Sequence, residues 1–222
     1  MARATNRRRA ARLQPGVKRD LILDVATAQF GSHGYEDTKW ADIAAAVHIG
    51  STALYHYFES KQHCLFEIMA TAVSEFHERF DRISAAHEDW SEALVAVLAD
   101  QFELTEQDVL RNRVLVAEMG RLGVERELPR EEAARAGARA EIRSLESGWA
   151  AFLERGMREG AIPENDPVLL TRALLGLYNS IWHWYRPEGL LSLDVLKRYF
   201  VSRELAILGC TPELAAKISE GS

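Results

Sequence analysis

Apolar residues along this chain recur three and four positions apart, and no stretch alternates with a period of two. That periodicity predicts an all-α protein of about nine helices. Residues 20–33 carry Leu21, Ile22, Val25, Ala26 and Phe30 as one buried stripe, with Gly34 as the stop. Residues 39–46 place Trp40, Ile43, Ala44 and Val47 on one face. After a turn at 47–50, residues 51–58 bring Leu54 and Phe58 inward, four apart. A long helix over 61–85 repeats Leu65, Ile68, Met69, Ala72, Val73, Phe76 and Phe80. Further helices are predicted at 91–107 with Ser91 as cap, at 109–122, and from Pro129 to about residue 159. The last two run from 168 to 185, before Pro187, and from 193 to 208 behind Ser192. Pro15-Gly16 is expected to break any helix, leaving 1–17 as a disordered basic arm and 211–222 as a tail.

Two short helices joined by a tight turn form a helix-turn-helix, here the pair 39–46 and 51–58. The second opens on Gly50, Ser51, Thr52 and Ala53. Small residues suit a helix end that enters the major groove, where bulk would block approach. Tyr55 and His56 add donors, and Ser60-Lys61 starts the next helix, where a lysine is a phosphate clamp. The predicted DNA-binding set is Lys39, Gly50, Ser51, Thr52, Tyr55, His56 and Lys61. Ser51 and Thr52 would reach base edges; Lys39, Tyr55 and Lys61 would hold phosphates. The dull alternatives are a packing role for Tyr55 and a solvated His56.

The pattern T-x3-DIA-x4-I-x4-LY-x2-F-x-SK, carried by Thr38, Asp42, Ile43, Ala44, Ile49, Leu54, Tyr55, Phe58, Ser60 and Lys61, resembles the TetR family of bacterial regulators. The family usually has Gly where His48 stands, and its closing histidine is shifted by one in Tyr55-His56-Tyr57-Phe58. The resemblance implies a DNA-binding domain at 18–63 and a ligand-binding and dimerisation domain at 64–210. It also implies that helix 61–85 connects the two.

The helix 168–185 is apolar nearly all round, so it needs cover beyond its own core. TetR-like proteins pair their last two long helices across a two-fold axis, which makes Leu174, Leu177, Ile181, Trp184, Leu196 and Phe200 the expected homodimer interface. An effector site is expected among Arg113, Glu118, Met119, Trp149, Phe152, Tyr178 and Trp182, apolar residues with a few polar anchors. Aromatics at helical spacing are also ordinary core. The segment Trp182-His183-Trp184-Tyr185-Arg186-Pro187 is similar to a TetR branch that regulates fatty-acid and steroid-ring catabolism. That likeness implies a small apolar effector, an acyl-CoA thioester or another bulky apolar acid.

Charge sharpens the division. The net charge is -6, yet residues 1–63 carry +3 and the remainder -9. A basic reading domain suits double-stranded DNA. Cys64 and Cys210 stand in no metal spacing, and His48, His56 and His63 fall across a turn and two helix starts. No nucleophile elbow, phosphate loop or zinc-protease motif occurs, so no enzyme, metal or cofactor is expected. No apolar run reaches membrane-spanning length, and the expected location is the cytoplasm. The combined reading is a repressor that binds a roughly palindromic operator and is released by its effector. The alternative is an architectural DNA binder with a filled core and no ligand.

Overall fold

A computed structural model describes residues 15–210. Among them are nine α-helices and a 3-10 turn, and no strand. The helices are α1 (Pro15–His33), α2 (Trp40–Ala46), α3 (Ser51–Leu54), α4 (Lys61–Ala85) and α5 (Trp90–Asp100). They continue as α6 (Glu106–Glu118), the 3-10 turn Met119–Gly123, α7 (Pro129–Arg158), α8 (Pro167–Trp184) and α9 (Leu193–Leu208). The basic arm before residue 15 and the tail after 210 lie outside the described residues.

Four expected boundaries move, one of them the helix expected at 109–122, which runs from Glu106 to Glu118 and passes into the 3-10 turn. Pro15-Gly16 opens α1 rather than breaking it. Proline is tolerated in a first turn, where its missing N–H would have no partner anyway. Helix α5 is capped by Asp89, whose carboxylate accepts the Glu92 N–H at 2.9 Å, not by Ser91, and it ends at Asp100. Helix α3 is only four residues long. Beyond Leu54 the bonds shorten to Tyr55 N–H→Thr52, His56 N–H→Ala53 and Tyr57 N–H→Leu54 carbonyls, the tighter 3-10 pattern. Leu54 and Phe58 are both fully buried all the same.

The described residues fall into two compact units. The first joins 15–72 to 107–139, and the second joins 73–106 to 140–210. Helices α4 and α7 each contribute to both.

In the first unit α1 buries Ile22, Ala26 and Phe30, while Leu21 sits at the rim with 36% exposure. Gly34 ends α1 at φ +95, a conformation glycine adopts without a Cβ penalty. Gly31 lets α1 approach α6 closely: a Cβ there would lie 2.8 Å from Leu110 Cδ2 and 3.0 Å from its carbonyl oxygen. Several buried polar groups inside this unit are paired, while Trp40 Nε1, Gln62 Nε2 and Arg126 Nε are not. Thr38 Oγ1 donates to the Gly34 carbonyl at 2.8 Å. Arg135 donates to the Leu122 carbonyl at 2.6 Å and grips Glu132 with two further bonds.

The second unit is an aromatic core. Trp149 stacks on Phe80 at 4.9 Å and Trp90 on Phe152 at 5.2 Å. Trp182 meets Tyr178 edge-on at 5.3 Å. At about 25 cal/mol per Å² and roughly 200 Å² for each large ring, such a side chain contributes about 5 kcal/mol of gross burial. Trp90 Nε1 donates to the Phe152 carbonyl at 2.8 Å, and the Tyr178 hydroxyl to the Gln101 carbonyl at 3.1 Å. Other polar atoms here are buried without partners: Gln101 Oε1, Thr171 Oγ1, the indole N–H groups of Trp149 and Trp182, and both carboxyl oxygens of Glu204. Burial alone pushes the Glu204 carboxyl up to about 8.

Candidate nucleic-acid interface

Lys39 stands in extended conformation just before α2, and its carbonyl accepts the Asp42 N–H at 3.0 Å. The helix ends in a turn built on His48 at φ 56. The His48 N–H returns to the Ala45 carbonyl and the Ile49 N–H to the Ala44 carbonyl, closing α2 in the manner of a left-handed C-cap. A histidine therefore takes the conformation that glycine adopts more cheaply. The sharp turn brings α3 against α2.

Ile43, Ala44, Val47, Leu54 and Phe58 form the inner face of this pair. Phe58 is clamped from several sides: the Trp40 ring at 6.3 Å, the His63 ring at 5.4 Å and the Arg19 guanidinium at 5.1 Å. With that face fixed, the outer face is determined. Lys39, Gly50, Ser51, Thr52, Tyr55 and His56 are all exposed, and Tyr55 is 55% accessible. These six predicted residues share the solvent side of one short helix and the entrance to its neighbour.

Lys61 differs. Its ammonium donates to the carbonyls of Tyr35 at 2.7 Å and Thr38 at 2.9 Å, and lies 4.0 Å from the centre of the Tyr35 ring. Two of its three donors are thus spent inside the domain. Arg121 covers the same ring at 4.7 Å and pairs with Glu36 and Glu118. Burial lowers the Lys61 pKa and raises that of the Tyr35 hydroxyl. The sequence marked Lys61 as a free phosphate clamp; the structure makes it first a tie between the loop 35–38 and the start of α4.

The expected effector residues divide between the units. Arg113, Glu118 and Met119 belong to the first, where Glu118 pairs with Arg121 and Met119 is 37% exposed. Trp149, Phe152, Tyr178 and Trp182 are buried in the second and pack on aromatic neighbours. Phe152 lines an open groove of about 440 Å³, shared with Phe80, Asp81, Ser84, Gly148 and Arg155. Phe80 and Arg155 were not marked by the sequence, because a stripe residue and a helix-surface arginine look the same with or without a groove.

The expected dimer residues also divide within one chain. Leu174, Ile181, Leu196 and Phe200 are at most 8% exposed within one chain, so they serve its own core. Leu177 is half-buried. The outward stripes are Leu169, Ala173, Gly176 and Trp184 on α8, and Val195, Tyr199, Ala206 and Ile207 on α9. Leu169 is 60%, Tyr199 55% and Trp184 47% exposed.

A buried two-helix corner with a small-residue, polar outer face defines a helix-turn-helix DNA-binding protein. Residues 22–68 match the bacterial regulatory proteins of the tetR family, and residues 87–208 match the tetracyclin repressor-like C-terminal domain. The chain belongs to the TetR family of transcriptional regulators. It is 28% identical over 189 residues to the transcriptional repressor KstR2 of Rhodococcus jostii, covering 83% of this chain and 88% of that one. The crystal structure of the TetR regulator PfmR from Thermus thermophilus matches with a TM-score of 0.68 at 26% identity, over 84% of this chain and 96% of that one. AibR, solved in complex with isovaleryl coenzyme A and operator DNA, shares the fold with a TM-score of 0.70 at 21% identity, over 87% of this chain and all of AibR. Among the described residues, no helix is long and apolar enough to cross a membrane.

Proposed function

We propose that this regulator is a ligand-responsive repressor that grips a roughly palindromic operator as a homodimer and acts in the cytoplasm. The observation that carries the reading is the joint exposure of Lys39, Ser51, Thr52, Tyr55 and His56 on the outer face of the 39–58 corner. Ser51 and Thr52 read base edges, and Lys39 and Tyr55 steady the phosphates. The third donor of Lys61 adds a phosphate contact. Two copies present two such corners, which must stand about 34–36 Å apart to enter successive major grooves. The outward stripe of Leu169, Trp184, Val195 and Tyr199, together with Leu177, supports pairing through α8 and α9.

The effector is a small apolar acid carried as an acyl-CoA thioester. The likeness to KstR2 and to AibR, which was solved with isovaleryl coenzyme A, supports this class. So do the groove beside Phe80, Phe152 and Arg155 and the unpaired polar atoms of the second unit. Effector binding favours a state with the wrong separation of reading corners, and operator affinity drops by population shift. The packed Trp149 and Trp182 rings favour the second reading, a ligand-independent DNA binder.

Selection from a pool of random duplexes, followed by binding measurements, tests the primary reading. Ser51→Ala or Thr52→Ala should cost about 1–3 kcal/mol and relax specificity at one base position. Leu169→Glu with Tyr199→Glu should yield monomers by light scattering at micromolar concentration and abolish operator retention. Failure of every duplex to bind refutes DNA reading. Absence of stabilisation by any acyl-CoA or free acid in thermal-shift screening leaves the ligand-independent binder.

A further inference from the structure

The loop that leaves the reading helix is held by a helix 71 residues further along the chain. One carboxylate oxygen of Glu59 accepts the backbone N–H of Arg130 at 2.8 Å and that of Glu131 at 3.1 Å. These are the second and third residues of α7, whose first-turn N–H groups have no partner inside the helix. Leu128 and Pro129 offer no side-chain oxygen to cap them. Glu59 does so from a distance, and its negative charge suits the positive end of the helix dipole.

The clasp is reciprocal. Arg130 Nη2 donates to the Tyr57 carbonyl at 2.6 Å, on the last turn of the reading segment. Ser60 Oγ donates to Glu131 at 2.5 Å and accepts the His63 N–H at 2.9 Å. The Glu59 N–H donates to His63 Nδ1 at 3.0 Å, which leaves the ring proton on Nε2, facing Glu67 at 3.3 Å. Glu131 and His63 are nearly inaccessible to solvent. Every one of these bonds lies within the first unit, but α7 does not stop there. It is one continuous helix of 30 residues, and from residue 140 onward it belongs to the second unit.

We propose that Glu59 is a positioning residue for operator reading. By capping α7 it fixes where the Tyr55–Tyr57 end of the reading segment sits, and it makes operator occupancy and the state of α7 depend on each other. This rests on the operator-binding reading above. A ligand-side change in α7 that withdraws the Arg130 and Glu131 amides releases the tail of the reading helix. Operator binding, which holds that tail, in turn tightens the first turn of α7. The clasp is thus a route between the units that follows covalent and hydrogen-bonded connections throughout.

The probe is the duplex that the full-length protein selects from a random pool. If no duplex is retained, the operator-binding reading fails before the clasp is tested. If one is, amide exchange at Arg130 and Glu131 should slow by about tenfold on adding it, relative to a non-binding duplex. Glu59→Ala should raise the operator Kd about tenfold well below its melting temperature. Glu59→Gln keeps the accepting oxygen and should retain most of the affinity. Arg130→Gln should weaken binding about threefold with an unchanged salt slope, because a positioning residue neutralises no phosphate. Unchanged amide exchange overturns the proposal. So does a Glu59→Ala protein that merely melts earlier and binds with the wild-type Kd. Should Glu59→Ala fail to fold, the exchange experiment and Arg130→Gln decide the matter.

Discussion

The two compact units differ in how many buried polar atoms they leave without partners: in the first only Trp40 Nε1, Gln62 Nε2 and Arg126 Nε among the described residues, in the second about three times as many. In the first, Thr38, His63, Glu131 and Arg135 are all nearly inaccessible, and each has hydrogen-bond partners. In the second, Gln101, Thr171 and Glu204 are just as deeply buried, and each has a side-chain oxygen with no partner. A satisfied buried network fixes one arrangement of the backbone; an unsatisfied group costs about 1–3 kcal/mol and fixes nothing. The unit that must match a duplex is the more fully tied. The unit expected to meet an effector carries a standing penalty that a rearrangement or a polar ligand can relieve.

The largest expected effect lies at Glu204. Its carboxyl has an ordinary value of 4.5 and is raised to about 8 by burial. Between those values the unfolded chain has released the proton that the folded chain still holds. Stability therefore falls as pH rises through that window and levels off above it. Glu204→Gln should remove the slope. At pH 8 it should stabilise the protein by roughly 2–4 kcal/mol, with the melting temperature rising about 2–4 °C for each kcal/mol. Equal melting curves for variant and wild type from pH 5 to 8 would break the comparison.

A matched pair sharpens it further. Thr38→Val removes a hydroxyl that holds the Gly34 carbonyl and should cost about 1 kcal/mol. Thr171→Val removes an equally buried hydroxyl that holds nothing and should be neutral or stabilising by about 1 kcal/mol. Denaturant midpoints of the two variants read this directly, and equal losses would erase the distinction. The smallest effect is at His63. Burial lowers its pKa, so below about pH 6.5 the unfolded imidazole takes a proton that the folded one resists. Stability should decline as pH falls from there through the folded value, and His63→Gln should lose that acid limb of the pH–stability curve.

Helix periodicity sufficed for the order of elements and for most of the core, because an amphipathic stripe is a direct record of which side meets solvent. Phase was lost where that record is blank. Helix α8 is apolar on nearly every side, so its pattern could not say that Leu174 and Ile181 face inward while Leu169 and Trp184 face out. The end of α3 was hidden for another reason. Leu54 and Phe58 point inward both in a continuous helix and in one that tightens after its first turn. The outer face of the corner was readable because small and donor-bearing residues cluster there. The Glu59 clasp was not, since an acid before a serine gives no sign of amides 71 and 72 positions away. Lys61 was assigned one partner class from its place at a helix start, yet nearby carbonyls take two of its donors.

Gly31 has a bearing on how this regulator would be mapped genetically. A methyl group at that position would run into Leu110, including its carbonyl, so even alanine forces α1 and α6 apart. Loss-of-function screens would score position 31 beside Ser51 and Thr52, although it never nears a base. Only an assay that separates folded yield from operator affinity would keep it off the list of recognition residues.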